Sequence, residues 1–191
     1  MTSEPATPSK KRLLISVLIP VVLILAAAWG ALLMLRARTP AETGGALDVK
    51  VGAVLPDLEF HHPDGSRVAL SKIRAKVILV NFWATWCEAC MEEMPSLVKL
   101  YDTYTDKGVE IIGINLDDDP IRAILTTSRE FGIQYGNFVD PDGKLGNAFD
   151  VHAIPLTITM DASRKVLEVK AGDRDWMAPE YLKKLEGWLA K

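Results

Sequence analysis

Three hydrophobic rhythms alternate along this chain. Leu13 to Leu35 is one apolar block, interrupted only by Ser16, Pro20 and Gly30. Two much shorter runs, Lys76 to Phe82 and Val109 to Leu116, are apolar almost throughout and rich in β-branched residues. That pattern predicts central strands buried on both faces. The third rhythm is helical: Leu97, Leu100, Tyr101 and Tyr104 recur on one face between about Glu88 and Lys107, with Pro95 expected to kink the helix.

The intervening polar stretches carry their own punctuation. Leu58 to His61 and Arg67 to Leu70 flank Pro63-Asp64-Gly65, which predicts a small hairpin. Asp117-Asp118-Asp119-Pro120 places acids and a first-turn proline at the start of a helix running to about Phe131. Phe138-Val139 before Asp140-Pro141-Asp142-Gly143 predicts a short strand and a turn, followed by a short helix from Lys144 to Phe149. Leu156 to Met160 and Val166 to Val169 form a second hairpin across Asp161-Ala162-Ser163-Arg164. Pro179 to Leu189 closes the chain as an amphipathic helix. Strands alternating with helices, then a hairpin and a helix, make an α/β fold with a mixed sheet covered on both faces.

The long block changes the picture from fold to placement. Its 23 residues suffice to span a hydrocarbon core as a helix. Lys10, Lys11 and Arg12 precede it and Arg36 and Arg38 follow, a bias that favours a cytoplasmic N-terminus and an exported remainder. A cleavable signal peptide is the rival, since Ala26-Ala27-Ala28 offers small residues. Cleavage there would leave Trp29 to Leu35 as an apolar terminus, whereas an uncleaved anchor explains the whole run. No cysteine lies near enough for a lipid anchor. The expected organisation is a cytoplasmic segment 1–12, a transmembrane signal-anchor 13–35, a linker 36–50 and one domain 51–191. From Thr39 onward the chain holds 17 basic and 24 acidic residues, a net charge of −7. That balance argues against nucleic acid as a partner.

The only two cysteines, Cys87 and Cys90, lie in Trp86-Cys87-Glu88-Ala89-Cys90, just after the first buried strand. Residues i and i+3 share a helix face, so the pair can close a small disulfide ring at a helix start. Free N–H groups and the helix dipole there favour a thiolate on the first cysteine. Thiol exchange needs one accessible thiolate to attack and a second cysteine to resolve the mixed disulfide. Cys87 is the expected nucleophile and Cys90 the resolving thiol. Glu88 between them opposes the thiolate, which destabilises the reduced form and makes the couple more reducing.

Other uses of the pair fit less well. Covalent haem attachment needs His after the second cysteine, where Met91 stands. Zinc would need two further ligands from His61, His62 or His152, none at ligand spacing. An inert structural disulfide over so short a loop would be a weak staple. The histidines have no catalytic part in this scheme. The Asp117–Asp119 triplet lacks the spacing and glycine of a calcium loop.

Val80-Asn81-Phe82-Trp83-Ala84-Thr85-Trp86-Cys87-Glu88-Ala89-Cys90, followed by Glu93-Met94-Pro95, resembles the membrane-anchored thioredoxin-like disulfide reductases of the TlpA/ResA group. The similarity spans about Val51 to Lys191 and includes Phe138 to Lys144 and the Ile154-Pro155 step. It implies a thioredoxin-like fold, with Pro155 as the family's cis-proline against the disulfide and the backbone of Ile154 available to a substrate strand. It also implies that Glu93 relays protons to and from Cys90, because Asn81 stands where ordinary thioredoxins place a buried aspartate. Trp86 is expected to flank the site and Trp83 to lie in the core. Ala89 departs from the proline common inside the motif, and Leu156 from the threonine usual after the cis-proline.

The resulting expectation is an anchored thiol:disulfide oxidoreductase on the exported side of a bacterial cytoplasmic membrane. It would reduce disulfides of exported proteins, apocytochrome c among them. A membrane thiol relay would re-reduce it, and no metal or organic cofactor is required. The same residues used in the opposite direction would make a dithiol oxidase. A non-catalytic binding module at the membrane is the reading from a different class, and the intact Cys-x-x-Cys counts against it. A thiol peroxidase lacks the Pro and Thr pattern expected before its cysteine.

Overall fold

The computed structural model describes residues 46–191; the expected anchor, 13–35, lies outside them. Seven strands make one sheet: β1 (Glu59–His61), β2 (Arg67–Ala69), β3 (Val77–Trp83), β4 (Val109–Asn115), β5 (Gly136–Val139), β6 (Leu156–Asp161) and β7 (Val166–Ala171). Their order is β2-β1-β5-β4-β3-β6-β7. β3, β4 and β5 run parallel, while β6 and β7 add antiparallel on one side. The β1–β2 hairpin adds antiparallel on the other, through His61 opposite Val139. Four helices connect or close these strands: α1 (Glu88–Tyr104), α2 (Pro120–Phe131), α3 (Lys144–Ala148) and α4 (Pro179–Leu189).

Every residue of β3 is buried, as its unbroken apolar run requires. Alternation along the strand then sorts its side chains between two cores. Val77, Leu79 and Trp83 join a cluster with Leu97 and Leu100 of α1, Ile124 of α2 and Tyr181 and Leu185 of α4. Ile78, Val80 and Phe82 join the opposite cluster, with Leu145 of α3, Phe149 and Phe60. Asn81 has the parity of Leu79 and Trp83, so it points beneath α1. This parity puts a polar side chain under the cysteine motif.

Helix ends follow the local chemistry with small departures. α1 keeps Pro95 inside an unbroken 17-residue span and stops at Tyr104, where a 3₁₀ turn, Thr105–Lys107, leads to Gly108 in the left-handed region. The helical pattern thus tightens three residues earlier than the sequence periodicity predicts. Asp119 alone caps α2, accepting from the Arg122 N–H at 3.3 Å. Asp117 is used elsewhere: its carboxylate accepts from the Thr85 N–H (2.9 Å), the Thr85 hydroxyl (2.6 Å) and Asn115 Nδ2 (2.7 Å). It therefore ties the end of β4 to the loop that delivers the cysteines. The acidic triplet is not a uniform cap, because only its last member lies at the helix entry.

Candidate active site

The loop Ala84-Thr85-Trp86 turns the chain from β3 into α1, and Cys87 is the residue that caps the helix. Its backbone is extended, with φ −92° and ψ 101°, and its Sγ accepts from the Cys90 N–H at 3.1 Å. Cys87 and Cys90 are joined as a disulfide. The two residues differ in access: Cys87 retains 7 % of its surface and Cys90 none. An N-terminal helix N–H aimed at sulfur favours negative charge there after the bond opens. Trp86, 69 % exposed, stands beside the pair at the surface. Trp83 is fully buried, and its Nε1–H donates to Asn137 Oδ1 at 3.0 Å.

Glu93 lies one turn further along α1 than Cys90 and is only 3 % exposed, whereas its neighbour Glu92 faces solvent. Both carboxylate oxygens accept from N–H donors. Asn81 Nδ2 reaches Oε1 at 2.9 Å and Trp176 Nε1 reaches Oε2 at 3.0 Å. Asn81 Nδ2 also donates to Thr157 Oγ1 at 2.9 Å, on the strand paired with β3. Burial pushes the Glu93 carboxyl up to about 7, against the opposing pull of the Trp176 and Asn81 hydrogen bonds. A carboxyl poised there can both give and take a proton near neutral pH.

That displacement has a consequence for stability. Below the ordinary glutamate pKa, Glu93 is protonated whether the chain is folded or unfolded. Between about 4.5 and about 7 the folded chain binds the extra proton, so stability falls as pH rises through this window. The expected loss is on the order of 3 kcal/mol at pH 8 relative to pH 4.5. Urea unfolding of wild type and Glu93→Gln across that range checks it. The wild-type curve should carry a downward step that the variant lacks, and parallel curves would refute the assignment.

The Ile154–Pro155 bond is cis. Pro155 is buried, its carbonyl accepts from the Gly172 N–H at 2.9 Å, and β6 begins immediately after it. Ile154 is half-buried and packs against the cluster that holds both cysteines. Among the described residues, the Ile154 backbone has no hydrogen-bond partner of its own. The histidines lie apart from this arrangement. His61 faces Glu59, His62 stacks on Phe138 with ring centroids 4.3 Å apart, and His152 pairs with Asp150 at 3.0 Å.

Trp176 is the member of the site that sequence reasoning missed. It follows the polar residues Gly172 to Asp175 after β7, and nothing local links it to position 93. Its one available signal is a large aromatic directly after that polar run, in the connection to the last helix.

A family model described as Redoxin matches residues 50–185. The chain belongs to the Redoxin family. It is 31 % identical over 177 residues to thiol-disulfide oxidoreductase ResA of Bacillus thuringiensis subsp. konkukian (strain 97-27), covering 92 % of this chain and 98 % of that protein. With ResA of Bacillus subtilis (strain 168) the identity is 30 % over 128 residues, 67 % of this chain and 71 % of the relative. The crystal structure of a thiol:disulfide interchange protein, a thioredoxin family protein from Chlorobium tepidum TLS, superposes with a TM-score of 0.61 at 25 % identity. It covers 71 % of this chain and 97 % of that one. This redoxin is a thiol-disulfide oxidoreductase with a thioredoxin-like fold, and it carries the paired cysteines such chemistry requires.

Proposed function

We propose that this redoxin works as a reductase of disulfides in exported proteins, held at the cytoplasmic membrane by its apolar segment 13–35 and acting on the far side. The observation that carries the direction is the set of groups around the cysteines. Glu88, in the first turn of α1 between them, is exposed and acidic, and the buried Glu93 lies one turn beyond. Among the described residues, no Lys or Arg lies between Cys87 and Pro95. Negative neighbours raise the free energy of a thiolate, and so of the reduced form, which makes the couple a better electron donor.

In the forward reaction the Cys87 thiolate attacks one sulfur of the substrate disulfide. A Cys87–substrate disulfide forms, and the other substrate sulfur leaves as a thiolate and takes up a proton. Cys90 loses its proton to Glu93 and attacks Cys87 Sγ. The enzyme disulfide closes, and the second substrate sulfur departs and is protonated. Two electrons pass from the enzyme dithiol to the substrate disulfide, with no metal or organic cofactor. Trp86 and the unpaired backbone of Ile154, with Pro155 beside it, form the surface against which the substrate strand lies. Because the exported compartment is oxidising, the spent enzyme needs a dithiol donor, for which a membrane thiol relay is the fitting class. Apocytochrome c, whose haem-binding thiols must be reduced before ligation, is a candidate substrate.

Equilibration of the full chain with defined dithiothreitol ratios tests the direction. The expected midpoint lies in the range of reducing thioredoxins, below roughly −200 mV; a value near the −120 mV of strong oxidants would reverse the assignment.

A further inference from the structure

The Glu93 carboxylate is held between two donors that are not equivalent. On one side Asn81 presents an amide, which can turn to offer either its N–H or its carbonyl. Its Oδ1 is buried and, among the described residues, has no partner. On the other side Trp176 presents an indole N–H, which can only donate. We propose that Trp176 is the positioning residue of Glu93. Its indole holds Oε2 as a permanent acceptor, confining the exchangeable proton to Oε1, where a turned Asn81 amide accepts it.

The connection from β7 to α4 is built to keep that indole in place. The Trp176 backbone N–H donates to the Ser96 hydroxyl at 3.0 Å, and the same hydroxyl donates to the Glu93 carbonyl at 2.8 Å. Indole and carboxylate are therefore tied to each other both by side chain and through one turn of α1. Above Trp176, the Arg174 guanidinium lies 5.0 Å from its ring centroid and 4.8 Å from that of Tyr181. Glu168 Oε2 accepts from that guanidinium at 2.8 Å, and Glu168 Oε1 accepts from Lys184 Nζ at 3.0 Å. The Trp176 and Tyr181 rings meet edge to face, 5.0 Å apart. Trp176 itself is fully buried, so no water competes for its N–H.

The arrangement separates the two protonation states. Ionised Glu93 accepts from both donors. Protonated Glu93 keeps its bond from Trp176 at Oε2 and donates from Oε1 to the Oδ1 of the turned Asn81 amide, whose Nδ2 then gives up its bonds to Glu93 and Thr157. Titratable and charged groups facing Glu93 are few. They are the cysteine pair three and six residues back along the chain, Asp173 on the β7–α4 connection, and the buried Tyr135 hydroxyl, which donates to Met94 Sδ at 3.0 Å; Arg174 offers Glu93 its backbone N–H, its guanidinium being held by Glu168. Asn81 of β3 and Thr157 of β6 are neutral.

This inference rests on Glu93 as the proton carrier, and the two can fail separately. The pH dependence of insulin reduction by the full chain is measured for wild type, Glu93→Gln and Trp176→Phe. The limb that vanishes in Glu93→Gln belongs to Glu93, and without such a limb the carrier reading itself falls. Trp176→Phe removes a donor that favours the carboxylate, so it should move that limb upward by about one pH unit, a roughly tenfold gain in proton affinity. A uniform loss of rate with the limb unmoved would overturn the proposal, since a purely packing role predicts that result.

If Trp176→Phe does not fold, the wild-type indole resonance decides. The Trp176 Nε1–H signal should titrate with the Glu93 limb and stay flat in Glu93→Gln. A flat signal in wild type would overturn the proposal equally.

Discussion

Cys87→Ser is expected to abolish disulfide reduction, with a rate loss beyond roughly 10³-fold, the scale seen when a reaction loses its nucleophile. The same exchange at Cys90 should behave differently. Cys87 is the cysteine with residual exposure and with the helix N–H aimed at its sulfur, so it can still attack when Cys90 is absent. Cys90→Ser then has no internal thiol to release the substrate, and a mixed disulfide should accumulate on Cys87. Non-reducing electrophoresis with mass spectrometry of cells carrying Cys90→Ser reads the adduct and identifies the trapped proteins. Adducts on Cys90 in the Cys87→Ser chain, with none on Cys87 in the converse, would invert the order of attack. Trapped proteins that are exported and rich in cysteine would support the proposed compartment.

Gly113→Ala is expected to cost about 3 kcal/mol of stability, combining overpacking with a broken buried hydrogen bond. Gly113 sits on β4 between Asn81 of β3 and Asn137 of β5 in register. A Cβ there would collide with Asn137 Oδ1 and come within 3.0 Å of Trp83 Nε1, the two atoms that hydrogen-bond across it. Neither side chain has room to retreat, because Trp83 and Asn137 are both buried. Gly187 supplies the control: it lies in α4 with nothing within 4 Å of a built Cβ. Gly187→Ala should be neutral or stabilising by up to about 1 kcal/mol, as expected for an exposed helix interior. Urea unfolding of the two variants measures the contrast. A Gly113→Ala cost below about 0.5 kcal/mol would show that the polar row yields more readily than its packing implies.

Much of the architecture could be read from local pattern. The largely apolar runs from Lys76 to Phe82 and from Val109 to Leu116 contain the two central strands, Val77–Trp83 (all but its last residue) and Val109–Asn115, because only sheet interiors bury such runs on both faces. Phe138-Val139 marked the end of β5 but not its start. Gly136 and Asn137 carry no strand signal, and they join the strand because β4 pairs with them. The charge and position of Asp117 predict a helix cap, yet it clamps Thr85, because the loop before Cys87 passes beside the end of β4. Spacing in the sequence cannot reveal such a meeting between residues 32 positions apart.

For the cysteine motif, the linear chain is enough to place the Cys87–Cys90 pair at a strand-to-helix turn. Local chemistry is sufficient there, since capping geometry and a three-residue offset are properties of a single helix. The surroundings of Glu93 come from packing instead. Its partners, Asn81 and Trp176, come from a strand 12 residues earlier and a connection 83 residues later. Parity along β3 turns Asn81 toward α1, and the return of the chain after β7 brings the indole over the carboxylate. A glutamate in the first turns of a helix is ordinarily a solvated charge. Burial between two donors, with no cation in contact among the described residues, is what makes this one a poised acid, and burial is a property of the packed whole.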